Sequence, residues 1–243
     1  MYKRRINTPI LVVCNTKLPQ AGTLTSVLRR IGRPFQFVSR TEFIDLNRKQ
    51  IMRPTIILGG VQSAADPLDI ETTQLLRVLD RQSKKNVPLF GICLGAQLLA
   101  RIAGGSVYSH QDDIREIGYH PVYSMHNRQG INFPPGHYYQ WHYSVIDDLP
   151  IANVTLTNNN SPIQAFEFGH TFMGVQFHPE IDLRTIQRWA REGRDRLADP
   201  GAQPLADQLL DHKKYREQNV KAFRQMLVAW SKPLNMWSNS DKL

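Results

Sequence analysis

The chain has 243 residues, 41 % of them hydrophobic, with 30 lysines and arginines against 21 aspartates and glutamates, a formal charge of +9. That length suits one large domain rather than two enzymatic domains with a linker, and no apolar run approaches the roughly 18 residues of a membrane span. Two cysteines rule out a disulfide framework and fit a reducing, cytoplasmic setting for a soluble protein with no membrane partner.

Residues 1–5 are basic, but the apolar stretch 10–14 is too short for a signal segment and reads as the first strand. Residues 9–14, 35–39, 54–58 and 87–92 are short, β-branched-rich runs separated by segments of helical length. Such alternation predicts an α/β fold with a parallel core sheet flanked by helices. Residues 21–31 and 70–82 carry helical faces, with stops at 32–34 and 86–88. After Gly105 the pattern turns to short alternating runs, 117–124, 154–157, 163–168 and 171–177, which predict antiparallel strands added to that core. Turns are expected at 158–160 and 169–170. From Leu183 onward the chain is helical again. Ile186, Trp189 and Ala190 form one stripe, and Val220, Phe223, Met226, Leu227 and Trp230 form another. A loop at 199–204 separates the two, and residues 237–243 form a polar tail.

The densest chemistry lies in Gly91-Ile92-Cys93-Leu94-Gly95, where an apolar run passes directly into a helical pattern. Glycines on both sides of Cys93 permit a turn tight enough to thrust a nucleophile into solvent at a helix N-terminus. Backbone N–H groups and the helix dipole favour a thiolate there. Cys14, at the end of an apolar strand, reads as packing. In Gly174-Val-Gln-Phe-His178-Pro-Glu180, 85 residues past Cys93, an extended segment points His178 and Glu180 to the same side. Cysteine nucleophile, histidine base and orienting carboxylate are then all present.

With these motifs the chain resembles the class I glutamine amidotransferases, whose triad is Cys, His and Glu. The resemblance rests on Gly59-Gly60-Val-Gln-Ser63, Gly91-Ile-Cys-Leu-Gly-Ala-Gln97, Gly104-Gly105, Glu116-Ile-Gly118, Gln140-Trp-His142, Gln164-Ala-Phe166 and Gly174-Val-Gln-Phe-His-Pro-Glu180. These segments stand in the family's order over residues 9 to 190 and are most similar to its stand-alone, GMP synthase-like branch. The resemblance implies a flavodoxin-like open mixed sheet, with residues 1–198 as the amidotransferase domain and 199–243 as a C-terminal helical extension packed on it. It implies Cys93, His178 and Glu180 as catalytic residues, and Gly60 and Leu94 as oxyanion donors. Gln97, His142 and Tyr143 are then the substrate contacts. Trp141-His142-Tyr143-Ser144 departs from the family's W-H-x-D pattern by carrying serine where an aspartate faces the amino end of glutamine. Asp147 and Asp148 are the neighbouring acids that could stand in for it.

The implied substrate is L-glutamine or a γ-glutamyl compound, with a synthetase as partner and a homo-oligomer possible. A γ-glutamyl hydrolase acting on a conjugate is the alternative, and a non-catalytic binding protein a lesser one. No cofactor or metal is expected. The chain lacks G-x-x-x-x-G-K-[ST], Leu58 and Gln62 break the likeness of the glycine loop to an ATP-binding one, and His120, His126, His137 and His142 match no zinc spacing. The scattered basic residues lack interleaved aromatics, so nucleic acid is not an expected partner.

Overall fold

The computed structural model describes residues 8–15, 21–49, 52–65, 67–110, 112–125, 133–169 and 171–235. The basic segment 1–5, His126, the turn position His170 and the tail 237–243 lie outside them.

The first half alternates strand and helix: β1 Ile10–Cys14, α1 Leu24–Arg30, β2 Phe35–Ser39, α2 Arg40–Arg48, β3 Thr55–Ile57, α3 Ile70–Lys84, β4 Leu89–Ile92 and α4 Leu94–Ile102. The second half is richer in strands. It runs through β5 Ser106–Ser109, β6 Glu116–Ser124, β7 Gly136–His142, β8 Ser144–Asp147, β9 Asn153–Thr157, β10 Ala165–Phe168 and β11 Phe172–Val175, then α5 Leu183–Glu192 and α6 Leu205–Ser231. Nine strands form one mixed sheet in the order β2-β1-β3-β4-β11-β10-β9-β6-β7, and β5 pairs with β8 apart from it.

Strands β2, β1, β3, β4 and β11 are mutually parallel, while β10, β9, β6 and β7 continue the sheet antiparallel. The expectation for residues 171–177 is thereby corrected: this strand pairs antiparallel with β10 but lies parallel to β4 on its other edge. Its alternation matches the half-exposed pattern, yet all four residues are buried, because helices cover this part of the sheet on both faces.

Successive residues of the central strands feed opposite layers. Ile10, Val12, Ile56, Phe90 and Ile92 pack with Leu24, Leu28, Phe223 and Trp230 of α1 and α6. Leu11, Val13, Ile57 and Leu89 pack with Phe43, Leu75, Leu79 and Leu98 of α2, α3 and α4. Helix α2, absent from the sequence expectations, opens with a full capping box: the Ser39 hydroxyl accepts from the Glu42 N–H, and the Glu42 carboxylate accepts from the Ser39 N–H. Strands β5, β7 and β8 were also unanticipated, being short or rich in polar and aromatic residues. The parallel core places the C-terminal ends of β3, β4 and β11 side by side, where open α/β sheets form their clefts.

Candidate active site

Cys93 sits between β4 and α4 with φ 51° and ψ −109°, a conformation rarely adopted by a residue with a side chain. The turn is held because its flanks are glycine: a Cβ on Gly95 would run into the Ile57 carbonyl, and one on Gly91 into the backbone of Gly95. The Cys93 N–H donates to the Val175 carbonyl at 2.9 Å, tying the turn to β11. Instead of standing in solvent, as the turn motif suggests, the thiol is only 6 % exposed and lies at the floor of a cleft.

The other wall of that floor follows β11. His178 donates its backbone N–H to the Tyr139 carbonyl at 2.7 Å, packs edge-on against Trp189 with ring centroids 4.8 Å apart, and stands beside Cys93 in the lining of the cleft. Its Nδ1 stands 2.8 Å from Glu180 Oε1. Burial acts to lower the imidazole pKa, but the charges of Glu180 and then Cys93, with the hydrogen bond to Glu180, outweigh it and raise the pKa to about 10. The Glu180 backbone is anchored in turn, its carbonyl accepting the Thr23 N–H at 2.7 Å.

The glycine loop after β3 closes the floor. A Cβ on Gly59 would come within 2.9 Å of the His178 ring, so only glycine admits this approach. Asn15 fastens the loop by donating from Nδ2 to the Leu58 and Gly59 carbonyls. Gly60 and Leu94 both line the cleft, and Leu94 begins α4, where first-turn N–H groups have no acceptor within the helix.

All eight residues singled out from sequence line this one cleft of about 220 Å³: Cys93, His178, Glu180, Gly60, Leu94, Gln97, His142 and Tyr143. Their partners differ in kind. Gln97 Nε2 donates to Gln176 Oε1 at 3.3 Å, and Gln176 Nε2 points at the Cys93 sulfur at 3.8 Å. His142 has both ring nitrogens engaged, Nδ1 with the Ser144 carbonyl at 3.0 Å and Nε2 with Gln140 Oε1 at 3.1 Å and Glu116 Oε2 at 3.2 Å. Glu116 also accepts from Asn158 and Gln164. Burial raises its carboxyl pKa, but His142, His120 and Asn158 together bring it below the ordinary carboxylate value. The Arg115 guanidinium lies 5.4 Å above the Tyr143 ring and pairs with Asp199 at 2.8 Å.

The acids proposed to stand in for the missing aspartate are elsewhere. Asp147 accepts the Tyr108 hydroxyl and the Asp148 N–H, and neither Asp147 nor Asp148 lines the cleft. Ser144 does, as do the charged residues Arg115, Glu192 and Arg196, which no local motif marks out. They come from the strand end before β6 and from the end of α5, segments whose approach depends on the whole sheet order. Cys14 also borders the cleft, but burial, reinforced by the Glu42 charge, pushes its thiol up to about 11. Among the described residues no group of three or more His, Cys, Asp or Glu side chains is arranged to hold a metal ion, and no helix is long and apolar enough to cross a membrane.

Comparison with known proteins agrees with this architecture. The chain is similar to the γ-glutamyl-L-1-hydroxyisopropylamide hydrolase of a Pseudomonas species, 27 % identical over 56 % of this chain and 49 % of the relative. It is also similar to the glutamine-hydrolysing GMP synthase of Aeropyrum pernix, 34 % identical over 73 % of this chain and 34 % of the relative. It therefore spans at most half the length of these curated relatives. A solved glutamine amidotransferase from Thermotoga maritima superposes with a TM-score of 0.79 at 23 % identity, covering 93 % of this chain and 99 % of the other. One from Methylobacillus flagellatus matches equally, at 0.79 and 22 %, over 93 % and 94 %. The family model for glutamine amidotransferase class-I matches residues 23–191, which include the elbow, the glycine loop and the His178-Glu180 segment. The chain belongs to the class I glutamine amidotransferase family.

Proposed function

We propose that this protein hydrolyses the side-chain amide of L-glutamine, or of a γ-glutamyl compound, through a thioester on Cys93. The observation that carries the reading is the Cys93–His178–Glu180 arrangement: a cysteine on a strained turn, beside an imidazole whose Nδ1 is held by a buried carboxylate. Cys93 attacks the amide carbon as the thiolate, with the proton already held on His178, forming a C–S bond and a tetrahedral oxyanion. The N–H groups of Leu94 and Gly60 are assigned to that oxyanion. Collapse breaks the C–N bond, the nitrogen takes the proton from His178, and ammonia or an amine leaves. His178 then removes a proton from water, the hydroxyl adds to the thioester carbon, and the C–S bond breaks to release glutamate and restore the thiolate. Glu180 holds the tautomer and balances the imidazolium throughout. Gln97 is assigned through Gln176 to the placement of the sulfur. His142, with no ring nitrogen to spare, positions the wall that bears Tyr143.

Ammonia released in this way would supply a partner synthetase, in a cytoplasmic setting that keeps the thiol reduced. A second reading, hydrolysis of a γ-glutamyl amide with a larger leaving group, draws support from Trp141 and Trp189. These line the cleft with ring centroids 5.7 Å apart, next to the His178 that would protonate the departing amine. Intact-mass measurement after mixing with L-glutamine and a series of γ-L-glutamyl amines, with parallel assay of released ammonia and amines, tests both. The expected result is a γ-glutamyl adduct on Cys93 and faster turnover of one leaving-group class. Absence of any adduct, together with no labelling of Cys93 by a glutamine-analogue electrophile, would return the chain to a binding role.

A further inference from the structure

We propose that Glu192 and Arg196 form a clamp for the zwitterionic head group of the γ-glutamyl substrate, with Glu192 taking the α-ammonium and Arg196 the α-carboxylate. The proposal rests on the reading of Cys93 as the nucleophile toward a γ-glutamyl amide. Such a substrate carries an anion and a cation on one carbon, distant from the amide, and both need partners once they leave water. Among the described residues only two carboxylates line the cleft, Glu180 and Glu192. Glu180 is committed to His178. Glu192 makes no side-chain hydrogen bond or ion pair among the described residues, and neither does Arg196, whereas Arg115 is paired with Asp199.

The backbone explains why these two opposite charges do not neutralise one another. Glutamate and arginine four residues apart on a continuous helix are neighbours and commonly pair. Here α5 ends at Glu192, Gly193 adopts φ −107° and ψ 33°, and Arg194–Ala198 proceeds as a tighter 3-10 turn. The break is seated against the cleft wall: a Cβ on Gly193 would meet the Trp141 ring at 2.7 Å. Glu192 and Arg196 are therefore left on either side of a fixed break, unpaired with each other, and both border the cavity that has Cys93 at its floor. That is the disposition a zwitterion requires. A helix end with an internal Glu–Arg pair would bind neither charge.

Binding is read on Cys93→Ala, which cannot turn substrate over, by ligand-observed NMR titration with L-glutamine, with 4-carbamoylbutanoate (no α-ammonium) and with 4-aminobutanamide (no α-carboxylate). Adding Glu192→Gln is expected to weaken glutamine and 4-aminobutanamide by about tenfold to a hundredfold, the range for a lost charge-assisted hydrogen bond, and to leave 4-carbamoylbutanoate unchanged. Adding Arg196→Gln is expected to weaken glutamine and 4-carbamoylbutanoate and spare 4-aminobutanamide. Both residues are exposed, so neither substitution threatens the fold. Equal losses for all three ligands, or none, would overturn the clamp while leaving the thioester reading intact. Failure of Cys93→Ala to bind any of the three would overturn both. Ligand-specific losses without hydrolysis by the native enzyme would instead count against the thioester chemistry and leave the clamp standing.

Discussion

At Cys93 the chain accepts a positive φ, a tight turn and burial in one place, a combination that strains the backbone and that, on the proposed reading, presents sulfur to a base. The other cysteine makes a natural control. Cys14 has its thiol pushed up to about 11 by burial and by Glu42, so it remains protonated. Cys93→Ala is expected to abolish glutamine hydrolysis, and Cys14→Ala to leave it within about twofold, in an assay of ammonia release; the reverse result would misplace the site. His178 supplies the pH dependence. Its folded-state pKa of about 10 exceeds the roughly 6.5 of a free imidazole, so the folded chain keeps a proton that the unfolded chain releases. The stabilisation from that proton is complete below about pH 6.5 and is lost as pH rises through about 10. Glu180→Gln removes the strongest influence raising the pKa and leaves burial, which lowers it. The ring titration of His178, followed by NMR, is expected to move to lower pH in that variant, and urea unfolding to show a smaller loss of stability above about pH 6.5, complete at lower pH than in native protein. An unchanged midpoint would deny Glu180 its part.

Among the elements, the elbow shows how backbone crowding sets residue type. Gly95 faces the Ile57 carbonyl so closely that the Cβ of alanine cannot fit without moving β3 or α4. Gly95→Ala is expected to cost about 3 kcal/mol or more in urea unfolding, at the upper end of overpacking. Gly32→Ala offers a comparison, since its Cβ would have nothing within 4 Å and only φ +70° opposes it; about 1 kcal/mol is expected there. A Gly95→Ala protein as stable as Gly32→Ala would show that the elbow can relax. Motifs of this kind made the site legible in the sequence, because a strained turn tolerates few residues and leaves a local signature. Strands β1, β3 and β4 were legible for a related reason: burial on both faces makes them continuous apolar runs, whereas β11, parallel to β4, alternates like an antiparallel strand. What escaped were elements whose identity depends on distant partners. Strand β7 carries Gln140, Trp141 and His142, and its seven-residue pairing with β6 sets its register. Glu192 and Arg196 carry no local motif, and only the sheet order brings the end of α5 and the turn after it to the cleft. Ser144 lines the cleft, whereas the acids next to it in sequence, Asp147 and Asp148, do not. The capping box of α2 was readable from Ser39 and Glu42 and was overlooked.

Across the whole molecule, the last long helix braces the two strands that lead to Cys93 and His178. Trp230 of α6 is fully buried, its ring meets Phe90 of β4 edge-on with centroids 5.8 Å apart, and its Nε1 donates to the Thr171 carbonyl at 3.0 Å just before β11. Phe90 lies three residues before Cys93, and β11 leads to His178. Phe223, Met226 and Leu227 join the same core as Val12, Ile56 and Ile92. A helix that shares the core of the parallel strands has no separate hydrophobic centre with which to unfold independently. Trp230→Ala is accordingly expected to cost about 3 to 5 kcal/mol, a large share of the roughly 5 to 15 kcal/mol typical of a domain. Unfolding should remain one transition. Far-UV circular dichroism and the rate of Cys93 alkylation, followed along the same urea gradient, should report coincident midpoints in native protein and in Trp230→Ala. Two separated midpoints, with helix lost while Cys93 stays protected, would make residues 199–243 an independent appendage and take from α6 its hold on the site.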